Sequence, residues 1–204
     1  MVHRDLARRD IVDRRVLAAM ASVPRECFVP DHYQHDAYAD RPLTIGYGQT
    51  ISQPYIVALM TQAAHLTRHS RVLDVGTGSG YHAAVLAQLA REVWSLERVR
   101  ELATLARRRL TALGIDNVRA IAGDGTVGYP PAAPYDAIVV AAAAREPPPA
   151  LLRQLAVGGH LVMPVGPADM QELIVFERCA TGIRQHALCT CFFVPLVPSG
   201  PTPA

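Results

Sequence analysis

The chain has 204 residues, of which 50% are hydrophobic and 19% are charged. This apolar fraction excludes a disordered chain, and the length is typical of one domain with its own core. The longest apolar run, 137–144, is less than half of the roughly 20 residues that a membrane span needs. Since the first residues are charged, without an apolar signal core, we expect a cytoplasmic protein.

The charge balance does not indicate a nucleic-acid partner. The 20 basic residues face 18 acidic ones, which leaves a formal net charge of +2. The densest arginine runs, near 8–15 and 107–109, have acidic neighbours and helical surroundings. We therefore interpret them as solvated helix faces rather than as a phosphate-binding surface.

The N-terminal part of the chain, 1–66, is predicted to be helical and loop material. Apolar residues at helical spacing between Ile11 and Met20 predict a helix, which Pro24 ends. A polar loop is expected over 31–47. A second helix is predicted over 53–66, where Pro54 is tolerated because it falls in the first turn.

From residue 71 onward, short apolar runs alternate with helical patterns. Alternation of this kind predicts an α/β fold, doubly wound, with a mostly parallel sheet and right-handed crossovers. Two later strands follow without a helix between them, so we expect a hairpin and at least one antiparallel strand. The predicted strands are 72–75, 92–96, 118–122, 135–140, 160–164, 172–177 and 185–195, and the predicted helices are 81–90, 99–113 and 149–155.

Cysteine and histidine spacing gives no indication of a metal site. Neither a CxxC motif nor a paired zinc spacing occurs among the four cysteines. Cys189 and Cys191 are interpreted as a buried structural pair on one face of a strand. His65 and His69 have a spacing that could bind a metal on a helix, but no carboxylate accompanies them.

A glycine-rich turn follows the first core strand and precedes a helix, which is typical of a cofactor site. Glycines there allow positive φ and a close approach of ligand to backbone. Glu97 ends the next strand, where a carboxylate can accept hydrogen bonds from ribose hydroxyls. Asp124, followed by Gly125, ends the third strand and suits the exocyclic amine of adenine, although a turn or helix cap is the simpler role for it alone. The turn itself comprises Asp74, Gly76, Thr77, Gly78, Ser79 and Gly80.

The spacing of these glycines is GxGxG, whereas dinucleotide-binding proteins use GxGxxG. Together with Glu97 and Asp124, it has the arrangement of a class I S-adenosylmethionine methyltransferase. The chain further resembles the protein-L-isoaspartate O-methyltransferase family over about 6–197. The resemblance rests on segments 41–55, 72–90, 123–130, 133–144 and 158–166, of which 41–55 is the most specific.

This resemblance implies an enzyme that methylates the α-carboxyl of L-isoaspartyl residues in damaged proteins, with S-adenosyl-L-methionine as cofactor. It implies a seven-stranded, mostly parallel sheet with helices on both faces, in which the last two strands exchange places relative to other methyltransferases. From length and chain organisation we predict one domain over 1–197, in which 1–66 caps the substrate and 67–197 binds the cofactor, with a flexible tail over 198–204. We expect a monomer without nucleic-acid, membrane or metal partners.

By matched position, the resemblance places Ser52 as the active-site serine. Thr50, Ile51 and Gln53 line the site beside it, and Tyr55 lies against the cofactor or substrate. The rim is expected at Tyr47, Gly48 and the loop 143–148.

The chemistry agrees with the absence of a serine, histidine and aspartate triad. A carboxylate with a pKa of about 4 is already the nucleophile at neutral pH and needs no general base. Ser52 can orient this carboxylate with one hydrogen bond, but it can equally cap the following helix. Three other functions stay open: a carboxyl methyltransferase with a dedicated substrate, a silent cofactor-binding module, and, more remotely, an NAD-dependent oxidoreductase.

Overall fold

The N-terminal part of the chain combines short helices with one hairpin. The structure is a computed structural model, described here for residues 1–198, so most of the predicted tail lies outside the described residues. The elements in chain order are a π-helical turn (Val2–Leu6), α1 (Arg14–Ser22), two 3₁₀ turns (Arg25–Phe28 and Asp31–Asp36), β1 (Leu43–Gly46), β2 (Gln49–Ile51) and α2 (Pro54–Ala63).

The hairpin corrects the prediction of a loop over 31–47. Leu43 and Ile51 pair across β1 and β2, and both side chains are buried. Tyr47 and Gly48 form the two-residue connection with φ of 55° and 68°, as in the type I′ turns that join antiparallel strands. Strands this short contain too little alternation to be recognised in the sequence.

The rest of the chain forms the α/β core, with most boundaries close to those predicted. Two strands differ: the one predicted over 160–164 starts directly after a helix, at Leu155, and the one predicted over 185–195 ends at Cys191. The core elements are β3 (Arg71–Val75), α3 (Tyr81–Ala87), β4 (Glu92–Glu97), α4 (Arg100–Ala112), β5 (Val118–Ala122), β6 (Tyr135–Val140), α5 (Pro149–Gln154), β7 (Leu155–Val165), β8 (Gln171–Cys179) and β9 (Gly182–Cys191).

The large sheet has seven strands in the order β5-β4-β3-β6-β7-β8-β9. Strands β3 to β7 pair in parallel, whereas β8 is antiparallel to both of its neighbours. The mostly parallel sheet and the hairpin are therefore confirmed. Because β8 lies beside β7 and β9 forms the edge, the last two strands follow each other in space as they do in sequence.

Both faces of the sheet are covered, as the doubly wound prediction requires. Val139 of β6 faces a cluster that includes Met60 of α2 and Leu110 of α4. The next side chain, Ile138, faces the opposite cluster together with Leu151 of α5, because successive side chains of a strand alternate between faces. Within residues 1–198, no helix is both long and apolar enough to cross a membrane.

The strand order fixes the position of a crevice. From β3 the chain moves outward through β4 and β5, and then returns to place β6 on the other side of β3. Ligands of open α/β sheets bind at such a reversal, beyond the carboxyl ends of the strands. This point is where the glycine-rich turn leaves β3.

Candidate functional site

A cavity of about 630 Å³ opens at the carboxyl ends of β3 and β4. Its volume falls within the range of about 300–1,000 Å³ typical of small-molecule sites. Glu97 and Arg98 are the charged side chains among the described residues that line it. Most of the wall comes from four segments, which are 49–53, 75–79, 96–99 and 190–197.

The glycine-rich turn adopts a backbone that favours glycine. Gly76, Gly78 and Gly80 have φ of 95°, 53° and 94°. Residues with a Cβ rarely adopt such positive φ values. The N–H of Gly76 donates to the carbonyl of Leu96 at 2.8 Å, which ties the turn to the end of β4. Gly76 and Gly78 line the cavity, whereas Gly80 begins α3, where a Cβ would lie 3.2 Å from Ala106 Cβ.

Glu97 is held rigidly at the cavity wall by backbone donors. Its Oε2 accepts from the N–H of Gly78 at 2.8 Å, and its Oε1 accepts from the N–H of Val99 at 2.9 Å. Each carboxylate oxygen can accept a second hydrogen bond. The side chain can therefore stabilise the turn and still accept from a hydroxyl in the cavity.

Asp74 lies beneath the turn rather than in the cavity wall. Its side chain is fully buried, and Oδ2 accepts from Ser95 Oγ at 2.6 Å, while Oδ1 has no hydrogen-bond partner. Burial raises the pKa of Asp74 to about 7, because desolvation disfavours the charged form. Ser95 also contacts Thr77 Oγ1 at 2.6 Å, so Asp74 supports the turn through a buried chain of hydroxyls.

The segment 50–53 runs from the second strand of the hairpin toward α2 and lies in the cavity wall, as the sequence predicts. Thr50, Ile51, Ser52 and Gln53 all line the cavity. The carbonyl of Ser52 accepts from Nη2 of the buried Arg25 at 2.7 Å. Its hydroxyl has no hydrogen-bond partner within residues 1–198 and is thus available for a ligand.

Asp40, rather than Ser52, caps α2. Its Oδ1 accepts from the N–H of Tyr55 at 3.0 Å, and its Oδ2 accepts from Gln53 Nε2 at 2.9 Å. The N-cap residue of α2 is Gln53, and no side chain of its own provides the cap. The alternative of Ser52 as a helix cap is therefore wrong, because the acceptor comes from a residue 15 positions before Tyr55.

Tyr55 and Asp124 lie outside the cavity lining, although both are predicted to contact the cofactor. The hydroxyl of Tyr55 donates to Asp10 Oδ1 at 2.9 Å, and its ring packs under the guanidinium of Arg9 at 4.2 Å. Asp124 Oδ1 accepts from the N–H and the hydroxyl of Thr126 at 2.8 and 2.7 Å, which caps a 3₁₀ turn. Its neighbour Gly125 lines the cavity, and a Cβ there would overlap Val75 Cγ1.

The sequence predicts the end of a strand, over 185–195, where the structure has one wall of the cavity. After Cys191 the chain leaves β9 and crosses the sheet end, with Phe192 73% exposed at the cavity. The N–H of Leu196 donates to the carbonyl of Ala143 at 2.7 Å, and the N–H of Ala143 donates to the carbonyl of Val194 at 2.8 Å. Pro195 alone does not mark this change of direction in the sequence, because β9 is an edge strand, where proline is tolerated.

His82, which also lines the cavity, was likewise not singled out. Its Nε2 lies 3.1 Å from Thr61 Oγ1, and that hydroxyl donates to the carbonyl of Val57 at 2.7 Å. The hydroxyl must then accept from His82, which places the ring proton on Nε2. Burial lowers the pKa of His82 to about 4, so the ring is neutral at neutral pH.

Metal-binding geometry is not found within residues 1–198. No group of three or more histidine, cysteine, aspartate or glutamate side chains there could hold an ion. His65 packs instead against His160, with ring centroids 4.8 Å apart and ring planes inclined at 50°. Cys191 is buried as expected, whereas Cys189 is only partly buried, and both thiols are free.

The sequence matches a known family over nearly its full length. Residues 1–200 match the family model described as protein-L-isoaspartate(D-aspartate) O-methyltransferase. The chain belongs to this family. A family relative from Picosynechococcus sp., named protein-L-isoaspartate O-methyltransferase, is 55% identical over 96% of this chain and 88% of its own length.

Two solved structures with family names have the same fold. One, described as a protein-L-isoaspartate O-methyltransferase, is 30% identical with a TM-score of 0.85 over 92% of this chain, which spans only 62% of that longer chain. The other, from Plasmodium falciparum, was solved in complex with S-adenosyl-L-homocysteine. It is 30% identical with a TM-score of 0.84, and each chain covers 96% of the other. The class I methyltransferase fold is thus confirmed.

Proposed function

We propose that the protein transfers a methyl group from S-adenosyl-L-methionine to the α-carboxyl of L-isoaspartyl residues in damaged proteins and peptides. The observation that supports this function best is the shared cavity. The segment around Ser52 and the glycine-rich turn line the same space of about 630 Å³. The serine hydroxyl has no partner among residues 1–198, so it is available to orient a reacting group.

The residues present fit the cofactor. Gly78 lines the cavity with a positive φ, and a Cβ at this position would lie 3.3 Å from Ile45 Cδ1. A Cβ at Gly125 would overlap Val75 Cγ1, so glycine at these positions allows the wall to pack closely. The carboxylate of Glu97 in the same wall can accept from the ribose hydroxyls of the cofactor. We assign cofactor binding to Gly76, Thr77, Gly78, Ser79, Glu97 and Gly125, with Thr50, Ile51 and Gln53 on the facing wall.

Four further residues belong to this proposal in a different role. Asp74 lies beneath the glycine-rich turn and Gly80 ends it. Tyr55 lies in the first turn of α2 and connects that helix to Asp10. Asp124 shapes the turn that presents Gly125 to the cavity, and its contact with the adenine amine stays a prediction.

The reaction requires little acid–base catalysis from the residues of this chain. S-adenosyl-L-methionine supplies a methyl group that its positive sulfonium sulfur already activates. A substrate carboxylate with a pKa of about 4 is deprotonated at neutral pH, so no general base is needed. Ser52 donates one hydrogen bond to this carboxylate and holds it in line, while the mostly apolar lining excludes water.

Methylation of this carboxyl leads toward repair of the isoaspartyl linkage. The methyl ester is attacked by the following backbone amide nitrogen, and methanol leaves as a five-membered succinimide forms. Water then opens the succinimide at either carbonyl, which gives aspartate or isoaspartate. Repeated rounds of methylation therefore convert isoaspartate to aspartate.

The broader assignments rest on the same proposal. We propose that residues 1–197 act as a single domain, in which 1–66 caps the substrate and 67–197 binds the cofactor. The protein is proposed to work as a cytoplasmic monomer on peptides, without nucleic-acid or membrane partners. The formal net charge of only +2 supports the absence of a nucleic-acid partner.

The test uses methyl transfer from labelled S-adenosyl-L-methionine to three matched peptides. The first contains L-isoaspartate, the second contains L-aspartate at the same site, and the third contains isoaspartate with its α-carboxyl amidated. We expect transfer to the first peptide alone. Binding of S-adenosyl-L-homocysteine is measured in parallel by calorimetry.

Each other outcome contradicts part of the proposal. Cofactor-product binding without transfer to any peptide would favour a dedicated substrate or a silent binding module. Transfer to the aspartyl or the amidated peptide would contradict selectivity for the isoaspartyl α-carboxyl. Failure to bind S-adenosyl-L-homocysteine would contradict the cofactor assignment.

A further inference from the structure

We propose that Arg25 is a positioning residue for methyl transfer, which acts by fixing the backbone of Ser52. The inference rests on the proposed function, because it concerns how the same site is held. Arg25 is the first residue of the 3₁₀ turn that follows Pro24, and it is fully buried, with 0% of its surface exposed. No sequence motif marks it, and it does not itself line the cavity.

The guanidinium of Arg25 joins three separate segments around the site. Nη2 donates to the carbonyl of Ser52 at 2.7 Å, and Nε donates to the carbonyl of Ala37 at 2.8 Å. The planar group lies over the ring of Tyr81, 4.6 Å from its centroid. Since Tyr81 directly follows the glycine-rich turn and lines the cavity, one side chain connects both halves of the site.

The electrostatic setting of Arg25 is unfavourable for stability alone. Its guanidinium has no ion pair with any carboxylate among the described residues, and Nη1 is buried without a hydrogen-bond partner. Burial also lowers the pKa of this guanidinium. A buried charge without an ion pair is costly, and apolar residues of similar size often replace such groups without loss of stability.

The contact with the Ser52 carbonyl explains what this charge does. Ser52 lies between β2 and α2, so no regular sheet or helix pairing fixes its backbone. Holding its carbonyl sets the orientation of the peptide plane and hence the direction of the Cα–Cβ bond that carries the hydroxyl. Asp40 holds the following residues, Gln53 and Tyr55, from the outer side. Arg25 therefore positions the backbone that carries the Ser52 side chain, and Asp40 positions the start of α2.

The experiment combines Arg25→Met, Arg25→Gln and Arg25→Lys with Ser52→Ala in a double-mutant cycle. For each variant, kcat and KM are measured on the isoaspartyl peptide, with the affinity for S-adenosyl-L-homocysteine by calorimetry and the Tm. Arg71→Met serves as the control. Arg71 also donates two side-chain hydrogen bonds, to Glu92 and the carbonyl of Ala132, but at the opposite end of β3.

We expect Arg25→Met to lower kcat by about 10- to 100-fold, since a misplacement of about 1 Å has effects of this size. Affinity for S-adenosyl-L-homocysteine should change by no more than about twofold. In the Ser52→Ala background the same substitution should lower kcat by less than about twofold, because there is no hydroxyl left to position. The Lys variant should recover part of kcat through one donor, and Arg71→Met should change the Tm alone.

Three results would overturn the proposal. One is an unchanged kcat in a folded Arg25 variant. Another is a double variant whose loss of kcat equals the product of the losses in the Arg25 and Ser52 single variants. The third is loss of the cooperative thermal transition in all three Arg25 variants, which would assign the residue to stability. A wild-type protein that fails to methylate the isoaspartyl peptide would instead contradict the proposed function, so the two failures are distinguishable.

Discussion

Replacing Ser52 with alanine isolates the effect of one hydroxyl group. This hydroxyl has no hydrogen-bond partner within residues 1–198, so its removal should change the free energy of unfolding by no more than about 0.5 kcal/mol. A hydrogen bond to a charged group contributes about 1.5–3 kcal/mol. We therefore expect kcat for the isoaspartyl peptide to fall by about 10- to 150-fold, with cofactor affinity nearly unchanged.

Replacing Asp40 with alanine is the matched comparison, because it removes the actual cap of the adjacent helix. The substitution deletes the acceptor of the Tyr55 N–H at 3.0 Å and of Gln53 Nε2 at 2.9 Å. Loss of an N-cap typically costs about 0.5–2 kcal/mol of stability. For a chain of this size, each kcal/mol lowers the Tm by about 2–4 °C.

The two variants are compared by three measurements on the same preparations. Initial rates with the isoaspartyl peptide give kcat, urea denaturation gives the free energy of unfolding, and calorimetry gives the affinity for S-adenosyl-L-homocysteine. The reasoning would be refuted if Ser52→Ala lost as much stability as Asp40→Ala. It would also be refuted if Ser52→Ala lowered turnover and cofactor-product affinity equally, because the hydroxyl would then support the cavity as a whole.

Three further predictions follow from buried groups near the site. Burial raises the pKa of Asp74 in the folded state to about 7, whereas an exposed aspartate in the unfolded state has a pKa of about 4. Between these two values the folded state keeps a proton that the unfolded state loses. The contribution of Asp74 to stability therefore falls as the pH rises from about 4 to about 7. Asp74→Asn should remove that fall, and parallel unfolding free energies of the two proteins at pH 5 and pH 8 would contradict the assignment. Gly128→Ala should lower the free energy of unfolding in urea more than Gly114→Ala. Both glycines have positive φ, but only a Cβ at Gly128 would lie 2.5 Å from Gln154 Oε1. Equal losses would show that backbone strain alone accounts for the destabilisation. Glu97→Gln should weaken S-adenosyl-L-homocysteine binding by about 1–3 kcal/mol, because an amide NH₂ cannot accept from the backbone donors or from ribose hydroxyls; unchanged affinity by calorimetry would remove Glu97 from the site.

The core strands were predictable because their signal is local. The strands Val118–Ala122 and Tyr135–Val140 have the predicted limits, since each is a short apolar run that ends at glycine, proline or alanine-rich connections. In contrast, the hairpin that carries Tyr47 was predicted as a loop. Its two strands have only four and three residues, and pairing between them, rather than alternation within them, makes them strands.

For the candidate site, too, the sequence identifies some of the residues and misses others. Glycines that need positive φ and a carboxylate at a strand end are visible in the sequence, because each requirement concerns one residue and its backbone. The partners of those residues are not visible. Tyr55 has a position that suggests contact with the cofactor, yet its hydroxyl binds Asp10, which lies 45 residues earlier.

By itself, the sequence determined the order of helices and strands in the α/β core, the cofactor turn and the family, since these depend on local periodicity and on specific short segments. The tertiary structure decided which distant side chains stabilise these elements and the cavity. It placed the acceptor of Asp40 at the start of α2, the buried Arg25 beneath the Ser52 carbonyl, and the segment after Cys191 across the cavity. Contacts between residues far apart in the chain depend on how whole elements pack, and no local pattern encodes that packing.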